Sequence, residues 1–227
     1  MNSLAAGIQI HQELNPKLWD DFKLRPEVRD GLLEIAREFY KFVKVPIEVN
    51  DVIVTGSQCS YTYTEHSDLD LHIIVNYANV ACGQPVDELF NTKRDLWKLK
   101  HDINIYGVPV ECYVEDTDKP VKGSTYSLLK NSWIDRPQAV SGTPAGGVER
   151  IAHAWIVVIT AAMQDRELEQ LESVRTAIKQ YRQAGLDKDG EMSRANLVFK
   201  ALRNTGILGK LIKAITVLKD RDLSVPN

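Results

Sequence analysis

Asp68 and Asp70 stand one residue apart at the head of an apolar run, Ser67-Asp68-Leu69-Asp70-Leu71-His72-Ile73-Ile74-Val75. In a strand, residues i and i+2 point to one face, roughly 7 Å apart along the chain. The two carboxylates therefore face one way, and Leu69 and Leu71 face the other. Carboxylates fixed side by side repel unless a cation lies between them. Hard oxygen ligands of this kind suit magnesium, which takes one or two carboxylates together with substrate phosphates. Upstream, the strand-like run Val52-Ile53-Val54-Thr55 leads into Gly56-Ser57, and residues 58–67 form a polar connection between the two runs. A glycine after a strand lets backbone approach a phosphate closely, and Ser57 adds a hydroxyl donor. A helix beginning at Ser57 would aim its free N–H groups at the same anion. A phosphate cradle and a metal clamp on neighbouring strands point to chemistry on a nucleoside triphosphate.

The order strand, Gly-Ser, spacer, Asp-x-Asp, strand resembles the signature of the DNA polymerase β nucleotidyltransferase superfamily over roughly residues 51–115. Gly-Ser alone is a common turn and strand ends are rich in acids, so the order carries the resemblance and no single fragment does. The resemblance implies a third carboxylate on a later strand. Glu111, in Gly107-Val108-Pro109-Val110-Glu111-Cys112-Tyr113-Val114, matches that place, where many members carry Asp. Glu115, four residues on, is the alternative. The segments 13–20 and 126–133, with Trp19 and Trp133, are similar to the flanks of phage-encoded nucleotidyltransferases of this superfamily, and no chemistry attaches to them.

What the resemblance implies is transfer of an NMP from an NTP to an acceptor hydroxyl, with release of pyrophosphate. Asp68, Asp70 and Glu111 would be the catalytic metal ligands, holding two Mg²⁺ ions for which Mn²⁺ can substitute. Such a pair, roughly 3.5–4 Å apart, stabilises both the attacking and the leaving oxygen, and Glu111 can also take the hydroxyl proton. Gly56, Ser57 and Ser67 would contact the nucleotide. ATP is the default nucleotide, and the acceptor expected is RNA or a nucleotide. The alternative is an NTP-binding regulatory or antitoxin-like module that modifies a protein partner or only senses nucleotide.

The elements that must position these residues read as α+β. Residues 26–44 form an amphipathic helix opened by Pro26, with Leu32, Leu33, Ile35, Ala36, Phe39 and Phe42 near one stripe. Strands are expected at 51–55, 69–76 and 108–114, Pro109 placing the last at an edge or at its own start. Residues 85–102 give a second helix, with Val86, Leu89, Phe90, Leu96, Trp97 and Leu99 as candidate core. Its cluster Lys93, Arg94, Lys98 and Lys100 reads as plain surface. The expectation is a small mixed sheet with helices on one face and the ligands at one end.

Ser141-Gly142-Thr143-Pro144-Ala145-Gly146-Gly147 is the clearest breaker cluster. It divides a catalytic domain, 1–141, from a helical one, 142–227, with helices at 148–164, 166–184 and 193–219. From Ser193 to Lys219 the chain carries Arg194, Lys200, Arg203, Lys210, Lys213 and Lys219 and no acid. Lys200 and Arg203 are candidate nucleotide contacts, set against a solvated face that balances the acidic residues 165–191. His72 is placed to support the aspartates or to pack under the sheet.

With 28 Lys and Arg against 31 Asp and Glu, the net charge of −3 argues against a generic nucleic-acid binder. Cys59, Cys82 and Cys112 lack metal spacing and read as reduced thiols, with Cys59 either packed or near a ligand. The longest apolar run, residues 154–163, is too short to span a bilayer and reads as a buried helix. The start shows no basic segment followed by an apolar one, so no secretory signal is expected. No membrane partner is expected either, and the expected setting is cytoplasmic, that of a host cell if the chain is phage-encoded.

Overall fold

The computed structural model describes residues 10–80, 85–119, 121, 123–138 and 147–224. The chain divides into two compact units, one within residues 10–140 and one containing residues 147–224. The expected boundary at 141/142 lies outside the described residues, with residues 141–146 of the breaker cluster and Cys82.

The first unit is α+β. A two-stranded hairpin, β1 (Trp19–Asp20) and β2 (Lys23–Leu24), precedes α1 (Pro26–Val43). Then follow β3 (Val49–Thr55), β4 (Leu69–Val75), α2 (Val86–Lys100), β5 (Asn104–Ile105), β6 (Val108–Asp116), β7 (Thr125–Ser127) and β8 (Ser132–Asp135). The six strands after α1 make a mixed sheet in the order β5-β6-β4-β3-β7-β8, in which only β4 and β6 run parallel. Pro26 sits in the first turn of α1, where its missing N–H costs nothing, and Lys44 ends the helix in the left-handed conformation. Pro109 is the second residue of β6, facing Asn104 of the two-residue β5, so the early position applies.

Period-two alternation separates the faces of the sheet. Leu69, Leu71, Ile73 and Val75 of β4, with Val52 and Val54 of β3, enter one core with Leu32, Phe39, Phe90 and Trp97 from α1 and α2. Both helices thus cover one face. The opposite face carries Asp70 and His72 of β4 and Glu111 and Tyr113 of β6, paired in register as Asp70 with Glu111 and His72 with Tyr113. In α2 the core contribution is Phe90 and Trp97, whereas Leu96 and Leu99 are exposed.

The second unit is a cluster of four helices, α3 (Val148–Asp165), α4 (Leu168–Asp189), α5 (Arg194–Asn204) and α6 (Ile207–Leu223), each in contact with the other three. The single helix expected over 193–219 is two, because Gly206 adopts a positive φ of 72° and starts α6 afresh. The run 154–163 is not buried throughout: Ile159 and Ala162 are, but Val157 and Val158 are exposed. No helix among the described residues is long and apolar enough to cross a membrane.

Candidate carboxylate and phosphate site

β3 ends at Thr55, which pairs with Asp70 across the sheet, so the Gly56-Ser57 turn is delivered to the strand end that carries the acids. Gly56 has φ 83°, a region that favours glycine, and a Cβ built on it would overlap Asp70 Oδ2. The glycine is therefore required twice, by its backbone and by the carboxylate lying against it. The expected helix at Ser57 is a single 3₁₀ turn, Ser57–Cys59. Only its leading N–H groups, at Ser57 and Gln58, are left outside its own hydrogen bonds, so any dipole at an anion is that of one turn.

The connection 58–67 is tied down from within. Ser57 Oγ donates to Ser67 Oγ at 2.8 Å, the Thr64 N–H donates to the same oxygen at 3.0 Å, and Gln58 Nε2 donates to the Ser67 carbonyl at 2.9 Å. Ser67 is buried and acts as the hub of the loop. The Ser57 hydroxyl, expected to face a phosphate, is engaged with Ser67. Cys59 is fully buried and packs.

Asp68, Asp70 and Glu111 offer carboxylate oxygens that all lie within 4.8 Å of one another. Parallel pairing of β4 with β6 sets Glu111 beside Asp70, which makes Glu111 and not Glu115 the third acid. Glu115 sits two rows away, opposite Ile74, and pairs with Lys119 at 3.0 Å. Three acids this close, with oxygen donors only, are a donor set suited to a hard divalent cation.

Glu111 is held at both oxygens. Lys98 of α2 pairs with Oε1, and Tyr113 Oη donates to Oε2 at 2.7 Å. Burial pushes the Glu111 carboxyl up, but Lys98, Tyr113 and Arg94 together hold it below the usual carboxylate range. The Tyr113 phenol is pushed far up by burial and by the charges of Asp70, Glu111 and Asp68, so it stays a donor. Its ring stacks on His72 at 4.6 Å, and the Arg94 guanidinium lies 5.5 Å from its centre. Sequence reasoning gave Lys98 and Arg94 to plain surface and passed over Tyr113. Their i, i+4 spacing on one helix face was the available signal, but only the parallel register brings that face to Glu111.

A cavity of about 380 Å³ opens between α2 and β6, walled by Arg94, Trp97, Lys98, His101, Glu111 and Tyr113 among others. Glu111 belongs both to this wall and to the acid cluster.

No protein-family model matches the chain, and no curated protein or solved structure does.

His72 packs under Tyr113, and its buried Nδ1 has no hydrogen-bond partner among the described residues, with Glu115 Oε1 3.9 Å away. Burial first, and then the charge of Lys119, lower its pKa to about 4. Below the unfolded value of about 6.5, an unfolded chain binds a proton here that the folded one refuses until about pH 4. Stability is thus expected to fall by about 2 kcal/mol between pH 7 and pH 5 from this group. Urea melts at the two pH values, with His72→Phe removing that share of the loss, check this.

Lys200 and Arg203 belong to the helical unit, whereas every other candidate lies in the sheet unit. Lys200 is 5% exposed, so it is not part of a solvated face. Its Nζ is 4.0 Å from Glu191, and burial, helped by Arg203 and Arg182, pushes its pKa down to about 8. The two segments flanking the motif meet each other: Trp19 stacks on Trp133 at 4.7 Å and meets the Tyr126 ring edge-on at 5.3 Å. From the same segment, Trp19 Nε1 donates to the Gln58 carbonyl and Asn15 Nδ2 to Gln58 Oε1. These flanks brace the Gly-Ser turn from behind.

Proposed function

We propose that the chain is a metal-dependent nucleotidyltransferase that moves an NMP from an NTP to an acceptor hydroxyl. The observation that carries this reading is the convergence of the Asp68, Asp70 and Glu111 oxygens beside a glycine turn whose lack of a side chain leaves room for Asp70. Asp68, Asp70 and Glu111 would hold the divalent ion, Mg²⁺ or Mn²⁺, which supplies neutralisation of phosphate charge when bound.

The chain's own groups account for the rest. The leading N–H groups of the 3₁₀ turn meet the outer phosphates of the NTP, and the Ser67 hub keeps that turn in place. The acceptor oxygen forms a bond to the α-phosphorus, the bond from that phosphorus to the bridging oxygen breaks, and pyrophosphate leaves with the electron pair. Glu111, kept ionised by its contacts with Lys98 and Tyr113, serves as a charged ligand and a weak proton acceptor, so the hydroxyl proton passes to solvent as the bond to phosphorus forms. ATP as donor and RNA or a nucleotide as acceptor belong to the same proposal.

The test is incubation with each α-labelled NTP and Mg²⁺ or Mn²⁺, alone and with small RNAs and mononucleotides, beside Asp68→Ala. Label is expected to enter an acceptor and to fall by about a thousandfold or more in the variant. Transfer by Asp68→Ala within tenfold of the parent would defeat the proposal. Metal-dependent NTP binding without pyrophosphate release would instead mark a nucleotide sensor.

A further inference from the structure

The cavity between α2 and β6 has the size of a small-molecule site, at the low end of the usual range of about 300–1,000 Å³. Its ring surfaces come from Trp97 and His101, whose centres are 3.9 Å apart, and from Tyr113. Its charges are mixed: Arg94 Nε and Nη2 both donate to Asp95 Oδ1, Lys98 holds Glu111, and Asp102 adds a further carboxylate to the wall. The second pairing matters most, because Glu111 is also one of the three clustered acids. A carboxylate engaged by a divalent cation has its charge satisfied there, and the ammonium that faced it is left with a charge to balance. Lys98 is a flexible side chain, 66% exposed, on the cavity wall, and so lies within reach of an anion held there.

We propose that this cavity takes the acceptor, a phosphorylated sugar or mononucleotide, with its phosphate on Lys98 and Arg94 and its hydroxyl at Glu111. The inference rests on the nucleotidyl-transfer reading and narrows its acceptor to a small phosphorylated molecule. It makes binding ordered: divalent ion at the acid cluster first, phosphorylated acceptor second. Tyr113 keeps its hydrogen bond to Glu111 Oε2 throughout and so positions that carboxylate while Lys98 exchanges partners.

The experiment uses the full chain and three probes: Mn²⁺ followed by electron paramagnetic resonance, then ribose 5-phosphate and ribose followed by calorimetry. Ribose 5-phosphate is expected to bind at least tenfold tighter with Mn²⁺ present than without, and tighter than ribose. Lys98→Met, at an exposed position that leaves the core untouched, is expected to bind Mn²⁺ as well as or better than the parent and to lose that sugar-phosphate affinity at least tenfold. Ribose 5-phosphate bound equally well by Lys98→Met would place the phosphate elsewhere, for example at the Gly-Ser turn, and overturn the inference. So would equal affinity for ribose, or a preference for RNA oligonucleotides over the small probe. Mn²⁺ binding without sugar-phosphate binding overturns this inference alone, whereas no Mn²⁺ binding by the parent overturns the nucleotidyl-transfer reading with it.

Discussion

Gly56→Ala is expected to abolish the response to divalent ions and nucleotidyl transfer together, and to destabilise the fold by about 2–4 kcal/mol. Two costs combine. A residue with a side chain at φ 83° is strained, and the new methyl would occupy the place of Asp70 Oδ2. The carboxylate would have to leave the cluster or the turn would have to move away from β4, and either separates the Gly-Ser turn from the acids. Gly107→Ala is the control, since Gly107 has nearly the same φ, 79°, but nothing within 4 Å of the added carbon. It should cost about 1 kcal/mol or little more and leave ion binding intact. Urea unfolding and Mn²⁺ titration of both variants decide the matter. If Gly56→Ala bound Mn²⁺ like the parent, the fit between turn and carboxylate would have no functional meaning.

Asp70→Asn should have the opposite profile, with the fold kept and the chemistry lost. Asparagine has the shape of aspartate, so its contact with Gly56 survives, but a neutral amide is a poor ligand for a hard cation. Transfer is expected to fall by about a thousandfold or more, as for the other acids of the cluster. The more direct reading is thermal. An ion at a hundredfold excess over its dissociation constant stabilises the folded state by about 2.7 kcal/mol, and that gain should vanish in Asp70→Asn. Were the variant stabilised by Mn²⁺ as strongly as the parent, the ion would be binding somewhere other than this cluster.

The sheet unit was legible where the sequence is periodic. The alternation through Leu69, Leu71 and Ile73 fixes which way Asp68 and Asp70 face, and α1 and the three main strands lie close to their expected places. Pairing was not legible. Nothing in Val110-Glu111-Cys112 says that β6 lies parallel to β4 and in register with Asp70, so Glu111 rested on resemblance and Glu115 stayed open. The same gap hid Lys98: a lysine on a helix surface looks like any other until the neighbouring strand is known. The hairpin at Trp19 and the short strands β7 and β8 are two to four residues long and held by ring packing and a few hydrogen bonds, below the length at which periodicity speaks. In the helical unit, charge alone suggested an exposed basic face, but Lys200 lies on the most buried helix of the four, where its apolar neighbours Leu197, Val198, Ala201 and Leu202 set its environment.

The braces behind the Gly-Ser turn set a timetable for the chain as it is made. A growing chain that has just released Glu111 already carries all three acids and the glycine. It still lacks β7, the strand that pairs with β3 on the side away from β4, and it lacks Tyr126 and Trp133, the partners of Trp19. Until those residues emerge, Trp19 has no rings to pack against, and its hold on Gln58 depends on one hydrogen bond in an open hairpin. Unfinished chains therefore carry the three acids without the frame that braces the turn beside them. The sheet closes late, and contacts that span more than a hundred residues, as Trp19 with Trp133 does, are of the kind that form slowly.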